Sequence, residues 1–313
     1  MTIVCATDDN FVQHCCVMLV SVLMHNSDVT IYVLTEGLQP ENERIITEEI
    51  AARGGEVHFC VVDPTVIDRF PMPPDAELAH ISRATYYRLL ITDLLPQKVV
   101  KVLYLDCDIV VNHSLSVLWN TDIKGYAIGA VVQVGFGHEA IRLGYPMEHG
   151  YFNAGVTLIN VDYFRRHDVS RQLMDYIARN YDRIKYHDQD TLNAVLHGQC
   201  LHLEAQWNMT SNVYDPDYPL HCDRVDGRIV NDYAADKRNA LEHKKNPTVL
   251  HYASHPKPWQ RNCVHPLYSL YYHYAAQTLH YRHLRPQGIV SRGWAVVKYR
   301  ALKNAVAIKM RYF

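Results

Sequence analysis

The stretch Val99–Val111, VVKVLYLDCDIVV, sets the tightest limit on what this chain can become. Val99, Val100, Val102, Leu103 and Leu105 are β-branched or bulky and leave little room for a solvated face, so the run to Leu105 reads as a buried parallel strand. Asp106 and Asp108 follow at its C-terminal end, separated by Cys107 and succeeded at once by Ile109, Val110 and Val111. Open α/β sheets place their ligands at that edge. Desolvating a carboxylate there costs several kcal/mol unless a positive charge balances it, and a divalent cation is the usual balance.

Two chemistries fit the triplet taken alone. In one, both carboxylates hold a metal that clamps a diphosphate. In the other, Asp106 is a phosphoryl nucleophile and Asp108 an acid, as in haloacid dehalogenase-type phosphatases, whose strand-plus-Asp-x-Asp-x-Val pattern Asp106, Asp108 and Val110 satisfy.

With 313 residues the chain can bury a substantial core as one large domain or two small ones. It opens on Ile3, Val4, Cys5 and Ala6 with no basic leader, so a cytoplasmic protein is expected. Cys15–Met24 is its most apolar run, about half of the ~20 residues a membrane span needs, and reads as a buried helix. None of the eight cysteines forms a C-x-x-C pair and several lie in apolar runs, which points to packed, reduced thiols.

Along the chain, Ile3–Ala6, Val29–Thr35 and Val57–Val62 read as strands, separated by helices from Phe11 to His25 and from Pro40 to Arg53. That alternation predicts a doubly wound parallel sheet. Asp8, Asp9 and Asn10 follow the first strand at the same sheet edge as Asp106, although helix capping would account for one of the three. Ser82 caps a helix containing Tyr86, Tyr87 and Arg88, with Arg88 a solvated charge or a substrate contact. Ala127–Val132 is a further strand ended by Gln133, and Val134–Gly150 reads as a mobile loop, a lid over a site. Ala154 and Gly155 permit a ligand or backbone to come close, or simply make a tight turn. His187-Asp188-Gln189-Asp190 opens a helix and offers a carboxylate beside an amide, suited to sugar hydroxyls or to capping. Leu201–Met209 reads as a strand, followed by an irregular stretch to Asn246 and a last strand, Pro247–Ala253. If His251 on that strand lies beside the two aspartates, the set suits Mn²⁺ or Mg²⁺.

Charge is unevenly spread. After Glu242 the chain has no acidic residue and twelve Lys and Arg, so its end should face an anionic partner. From Tyr271 to Phe313 the basic residues alternate with apolar ones and include Trp294 and Tyr299, which favours an amphipathic segment on anionic lipid over a solvated helix. No nucleic-acid motif accompanies the charge.

Taken in order, these pieces form a set: Asp8 with Asn10, Tyr86–Leu89, Leu103–Asp108, Tyr151–Gly155, His187–Asp190, and His251-Tyr252 with Lys257-Pro258-Trp259. Over about residues 1–262 the set resembles glycosyltransferase family 8, with the nearest likeness to bacterial lipopolysaccharide galactosyl- and glucosyltransferases. The resemblance implies an α/β GT-A fold, Rossmann-like, with a mostly parallel central sheet flanked by helices. It implies a catalytic domain over residues 1–265 and a basic, helical, aromatic extension over 266–313 that associates with membrane. A UDP-hexose donor, Mn²⁺ (or Mg²⁺), a saccharide acceptor carried on lipid, and transfer with retention at the cytoplasmic face of the plasma membrane are the expectations that follow. Asp106, Asp108 and His251 look like the metal ligands, Asp8 and Asn10 like the uridine turn, and Lys257 like the diphosphate lysine. Arg88, Asn153, Ala154, Asp188 and Gln189 resemble the donor-sugar set, with Arg88, Asp188 and Gln189 at the reacting centre.

This chain departs from the family's pattern in two places. Ser254 stands where glycine often approaches the diphosphate, leaving that contact to a serine hydroxyl or amide. Gln133 stands where some relatives carry an acidic residue that touches the acceptor. A phosphatase, or a sugar-nucleotide-binding module without catalysis, are the competing readings; a phosphatase would leave His251 and Lys257 without a role.

Overall fold

Among the described residues twelve strands form in chain order: β1 Thr2–Ala6, β2 Thr30–Thr35, β3 Glu56–Val61, β4 Lys101–Leu105, β5 Ile109–Val111, β6 Ile128–Val132, β7 Phe152–Asn160, β8 Cys200–His202, β9 Met209–Thr210, β10 Asp223–Val225, β11 Arg228–Asn231 and β12 Val249–His251. The computed structural model describes residues 1–67, 70, 83–254 and 256–286. Seven strands make the central sheet in the order β3-β2-β1-β4-β7-β6-β8. Only β7 runs against its neighbours, pairing antiparallel with both β4 and β6, so the sheet is mostly parallel as expected.

Both faces of this sheet are covered at its centre, which is why its inner strands read as near-continuous apolar runs while the edge strands β3 and β8 are part exposed. Ile3, Cys5, Leu103 and Leu105 join the core on one face, with the buried helix Val12–Leu23. Val4, Val102 and Tyr104 join the core on the other, against Tyr86, Leu89 and the helices Val169–Arg179 and His187–Leu196. All eight cysteines are free, with Cys5, Cys15, Cys16, Cys107 and Cys263 buried. No helix among the described residues is long and apolar enough to cross a membrane.

A second sheet has no counterpart in the sequence pattern. β5, β12 and β9 form it, with β12 antiparallel to β5 and parallel to β9. Strands of two or three residues are too short to show periodicity: in the sequence β5 and β9 trail other elements, and β12, the middle of the strand read at Pro247–Ala253, gives no sign of its partners.

Three expectations are corrected. Val134–Gly150 is not a bare loop: it holds the helix Gly137–Leu143 and a 3₁₀ turn, Met147–His149, and buries Ala140, Leu143, Tyr145 and Met147. Gly135, Gly144 and Gly150 are set by turn geometry, as at Gly144, whose left-handed φ of 88° caps the helix. Leu201–Met209 is broken into β8, a 3₁₀ turn at Ala205–Trp207 and β9. The stretch to Asn246 contains the β10–β11 hairpin and the helix Ala234–His243.

Ser82 and residues 287–313, with Trp294 and Tyr299, lie outside the described residues. The part of the C-terminal segment that is described includes the helix Tyr268–Ala275, whose Tyr271, Tyr274 and Ala275 are buried in the core shared with Val12–Leu23.

Candidate active site

β4 and β5 are one stretch of chain that changes sheets. Leu105 ends in the large sheet, Ile109 begins the small one, and Asp106-Cys107-Asp108 is the step between. The Asp106 amide donates to Gly155 O at 2.9 Å on one side, and the Tyr252 amide donates to Asp108 O at 3.0 Å on the other. Because β12 pairs with β5, His251 stands opposite Ile109. Its Nε2 therefore lies 3.1 Å from Asp108 Oδ1 and 3.8 Å from Asp106 Oδ2.

The remaining oxygens are already taken. Arg88 Nη2 donates to Asp106 Oδ1 at 2.6 Å, and Lys257 Nζ to Asp108 Oδ2 at 2.6 Å. What is left facing inward is Asp106 Oδ2, Asp108 Oδ1 and His251 Nε2, and one ligand atom from each of the three residues lies within 4.8 Å of the others. Burial would push the Asp108 carboxyl up, but Lys257 and His251 beside it hold it well below the usual carboxylate range.

The histidine's tautomer follows from a chain of obligatory donors. Gly155 N–H donates to Asn153 Oδ1 at 3.0 Å, so Asn208 must offer its Nδ2 to the same oxygen, at 2.8 Å. Asn208 Oδ1 is then the acceptor for His251 Nδ1 at 3.0 Å. His251 thus carries a proton on Nδ1, and Nε2 is the ring nitrogen that faces the two carboxylates. An oxygen-rich set joined by that nitrogen, its ring oriented by a neighbouring amide, fits a hard divalent cation such as Mn²⁺ or Mg²⁺.

Gly155 makes this convergence possible. It lies inside β7 and not at a turn. A Cβ there would meet His251 Cε1 at 2.2 Å and Asp106 Oδ2 at 2.7 Å, so what approaches the glycine is the imidazole itself.

Arg88 is 3 % exposed, so its charge must be matched from within. Besides Asp106 it reaches Asp188 Oδ2 at 2.8 Å and Ala154 O at 2.5 Å, and its guanidinium lies 3.9 Å over the Tyr104 ring. Burial, with Asp106 nearby, pushes the Asp188 carboxyl up to about 7 in spite of Arg88. Gln189 accepts from Asn153 Nδ2 at 3.0 Å and from the Ala154 amide at 3.1 Å.

A cavity of about 420 Å³ opens over these groups. Asp8, Arg88, Asp106, Asp108, Asn153, Ala154, Asp188, Gln189, His251, Ser254 and Lys257 all line it, and so does Gln133. Asn10 does not; its backbone N–H donates to Asp8 Oδ1 at 2.9 Å, closing the turn into the first helix. Asp9 is likewise occupied, accepting from Gln39 N and Asn42 Nδ2. Sequence reasoning missed Phe136, Tyr186 and Thr85, which also line the cavity, and Asn208, which sets the histidine. Nothing in the sequence singles out Asn208, since its partners are 43 and 55 residues away.

A doubly covered, mostly parallel sheet with an acidic pair at the edge of a cavity is the architecture of glycosyltransferases of the GT-A fold. The family model described as Glycosyl transferase family 8 matches residues 2–263, and the chain belongs to that family. Among individual proteins, it is 30% identical to General stress protein A of Bacillus subtilis (strain 168) over 285 residues, covering 89% of this chain and 94% of that one. Glycosyltransferase GlyF of Streptococcus pneumoniae is 28% identical over 273 residues, which span 87% of this chain and 61% of the longer relative. The crystal structure of the galactosyltransferase LgtC in complex with donor and acceptor sugar analogues superposes with a TM-score of 0.78 at 28% identity, covering 89% of this chain and 96% of that one. Family membership decides against the phosphatase reading.

Proposed function

We propose that the chain transfers a hexose, galactose or glucose, from a UDP-sugar to a saccharide acceptor with retention at the anomeric carbon, and that it depends on Mn²⁺, with Mg²⁺ as the substitute. The observation that carries this reading is the meeting of Asp106, Asp108 and His251 in one cavity with Arg88, Asp188, Gln189 and Lys257. A relative crystallised with donor and acceptor sugar analogues supports it.

Held by Asp106, Asp108 and His251, the cation would offset the charge that builds on the departing diphosphate. Lys257, fixed between Asp108 and Tyr252 O, adds a second positive charge on the same side. Ser254 offers a hydroxyl or amide to the phosphates, and Asp8 borders the end of the cavity assigned to uridine. Asn153, Ala154 and Asp188 face the sugar hydroxyls, and Arg88 holds Asp188 in place. Gln189 lies on the sugar face, where its amide oxygen steadies positive charge at the anomeric carbon. An amide is a poor nucleophile, so the departing phosphate accepts the acceptor's proton in a same-face attack. Trapping a glycosyl-enzyme adduct on the wild-type protein would overturn that step.

The acceptor in this reading is a lipid-linked saccharide of lipopolysaccharide or another surface glycan, reached from the cytoplasmic face of the membrane. Residues 1–265 would be the catalytic domain and the basic segment 266–313 the part that meets anionic lipid. Deleting residues 290–313 should move the protein from membrane to soluble fractions while UDP-sugar hydrolysis persists; unchanged partitioning refutes the membrane role.

The deciding experiment screens UDP-sugars for UDP release with Mn²⁺ and with EDTA. Metal-dependent release from UDP-galactose or UDP-glucose is the expected result. Tight UDP-sugar binding with neither hydrolysis nor transfer to any acceptor in a broad panel would make the chain a binding module instead.

A further inference from the structure

Gln189 has a more constrained amide than a sugar contact requires. Its Oε1 accepts from the Ala154 amide and from Asn153 Nδ2, while its Nε2 donates to Tyr151 OH at 3.0 Å and to Gln133 Oε1 at 3.1 Å. Every hydrogen-bonding position of the group is filled. The question is what fixes its polarity, since an amide can be turned end for end at little change in shape.

One end is set by the backbone, because Ala154 N–H can only donate. The other end is set by Asp190, at the far side of Tyr151. Asp190 is fully buried and accepts from four donors: Lys185 N and Tyr186 N at 2.7 Å, Arg142 Nη2 at 2.8 Å, and Tyr151 OH at 2.7 Å. Arg142 brings a positive charge, completed by Glu139. A carboxylate held this way has no proton to give, so the Tyr151 hydroxyl must spend its hydrogen on Asp190. Its oxygen is left as an acceptor, and only the Nε2 end of Gln189 can satisfy it.

We propose that Asp190 and Tyr151 form a positioning relay that anchors the Nε2 end of the Gln189 amide and, with the Ala154 N–H at the other end, locks its orientation, holding Oε1 on the β7 side and Nε2 on the Gln133 side. Tyr151 is completely buried and does not line the cavity, so it acts through Gln189 and not on a substrate. The relay continues one step further. Gln133 Oε1 is consumed by Gln189, and Gln133 Nε2 has no partner among the described residues. This position therefore offers N–H donors to what enters the cavity, where a carboxylate would offer only acceptors.

The functional consequence rests on the transferase reading above; the orientation itself does not, and the test separates them. Side-chain amide NMR of Gln189, assigned through Gln189→Ala, should show both Nε2 protons protected from exchange in the wild type. Tyr151→Phe, which removes one oxygen from a buried ring, should strip that protection; unaltered protection overturns the relay whatever the enzyme does. In kinetics normalised to folded protein, Tyr151→Phe should lower kcat about 100-fold with the donor KM nearly unchanged, the scale expected for misaligning a positioned group. The same substitution in a Gln189→Ala background should change kcat less than about twofold, because the group it positions is already gone. An equal loss in both backgrounds would show that Tyr151 does not work through Gln189. If Gln189→Ala alone leaves kcat intact while the NMR result holds, it is the role given to Gln189 that fails.

Discussion

Adding a single methyl group at Gly155 tests whether the acidic pair and the imidazole form one ligand set. An alanine Cβ would sit 2.2 Å from His251 Cε1, 2.8 Å from its Nδ1 and 2.7 Å from Asp106 Oδ2. Regaining the 3.4 Å of ordinary contact requires the ring to retreat by roughly 1.2 Å. It has no free path: Nδ1 is tied to Asn208, and the backbone is paired with both β5 and β9. Ligand distances tolerate only about 0.2 Å of error, so a displacement this large removes the imidazole from the set. Gly155→Ala should therefore weaken Mn²⁺ binding by at least about 100-fold, the upper end of the effect of disturbing a ligand's orientation. Overpacking should also destabilise the metal-free fold by about 1–3 kcal/mol. Calorimetric titration of Mn²⁺, with urea unfolding in EDTA, measures the two separately. A Kd within about twofold of the wild type, in a protein that has lost stability as expected, would show that His251 is not a ligand.

Asn208→Ala removes the acceptor that fixes the His251 tautomer, and should weaken Mn²⁺ binding by about 10- to 100-fold; an unaltered Kd by the same titration would refute the orienting role. Arg88→Ala leaves the buried Asp188 without its counter-charge and, at about pH 8 where that carboxyl is ionised, should cost about 3–5 kcal/mol in urea unfolding. A loss below about 1 kcal/mol would mean the pair behaves like an exposed one. The raised pKa of Asp188 has its own signature. In the folded protein the carboxyl keeps its proton up to about 7, whereas in the unfolded chain it releases it near 3.8, so its contribution to stability is present at low pH and lost as pH rises through 7. Urea midpoints measured in EDTA from about pH 5 to about pH 8 should fall less steeply for Asp188→Asn than for the wild type; parallel curves would refute the shift.

Much of this site could be read from residue order because its chemistry is carried by short, local patterns. Asp106 and Asp108 stand out because two carboxylates closing an apolar strand would repel each other and lose their water unless a cation sat between them. His187–Asp190 stands out because it opens a helix, which the structure starts at His187 itself. What escaped is what depends on pairing at long range. The three-stranded sheet is built from segments of three, three and two residues; the strand read at Pro247–Ala253 contains β12, but nothing local says that it pairs with β5 and β9. Asn208 falls just before one of them and looks like any loop amide. Val134–Gly150 misleads for a different reason: its glycines suggest mobility, but Gly137 has no room for a Cβ, with Asp223 Oδ2 only 2.1 Å from where one would be. There, glycine marks tight packing.

The step from one sheet to the other also bears on how the molecule is made. Lys257 closes on Asp108 across 149 residues of chain, and His251 reaches it through the last strand of the smaller sheet. A ribosome that has released the chain only as far as β8 has produced both aspartates and the whole larger sheet, yet neither His251 nor Lys257. If the proposed ion binds there, its ligand set is completed only once β12 has been made, and a chain cut short before it would carry the acidic pair without its imidazole.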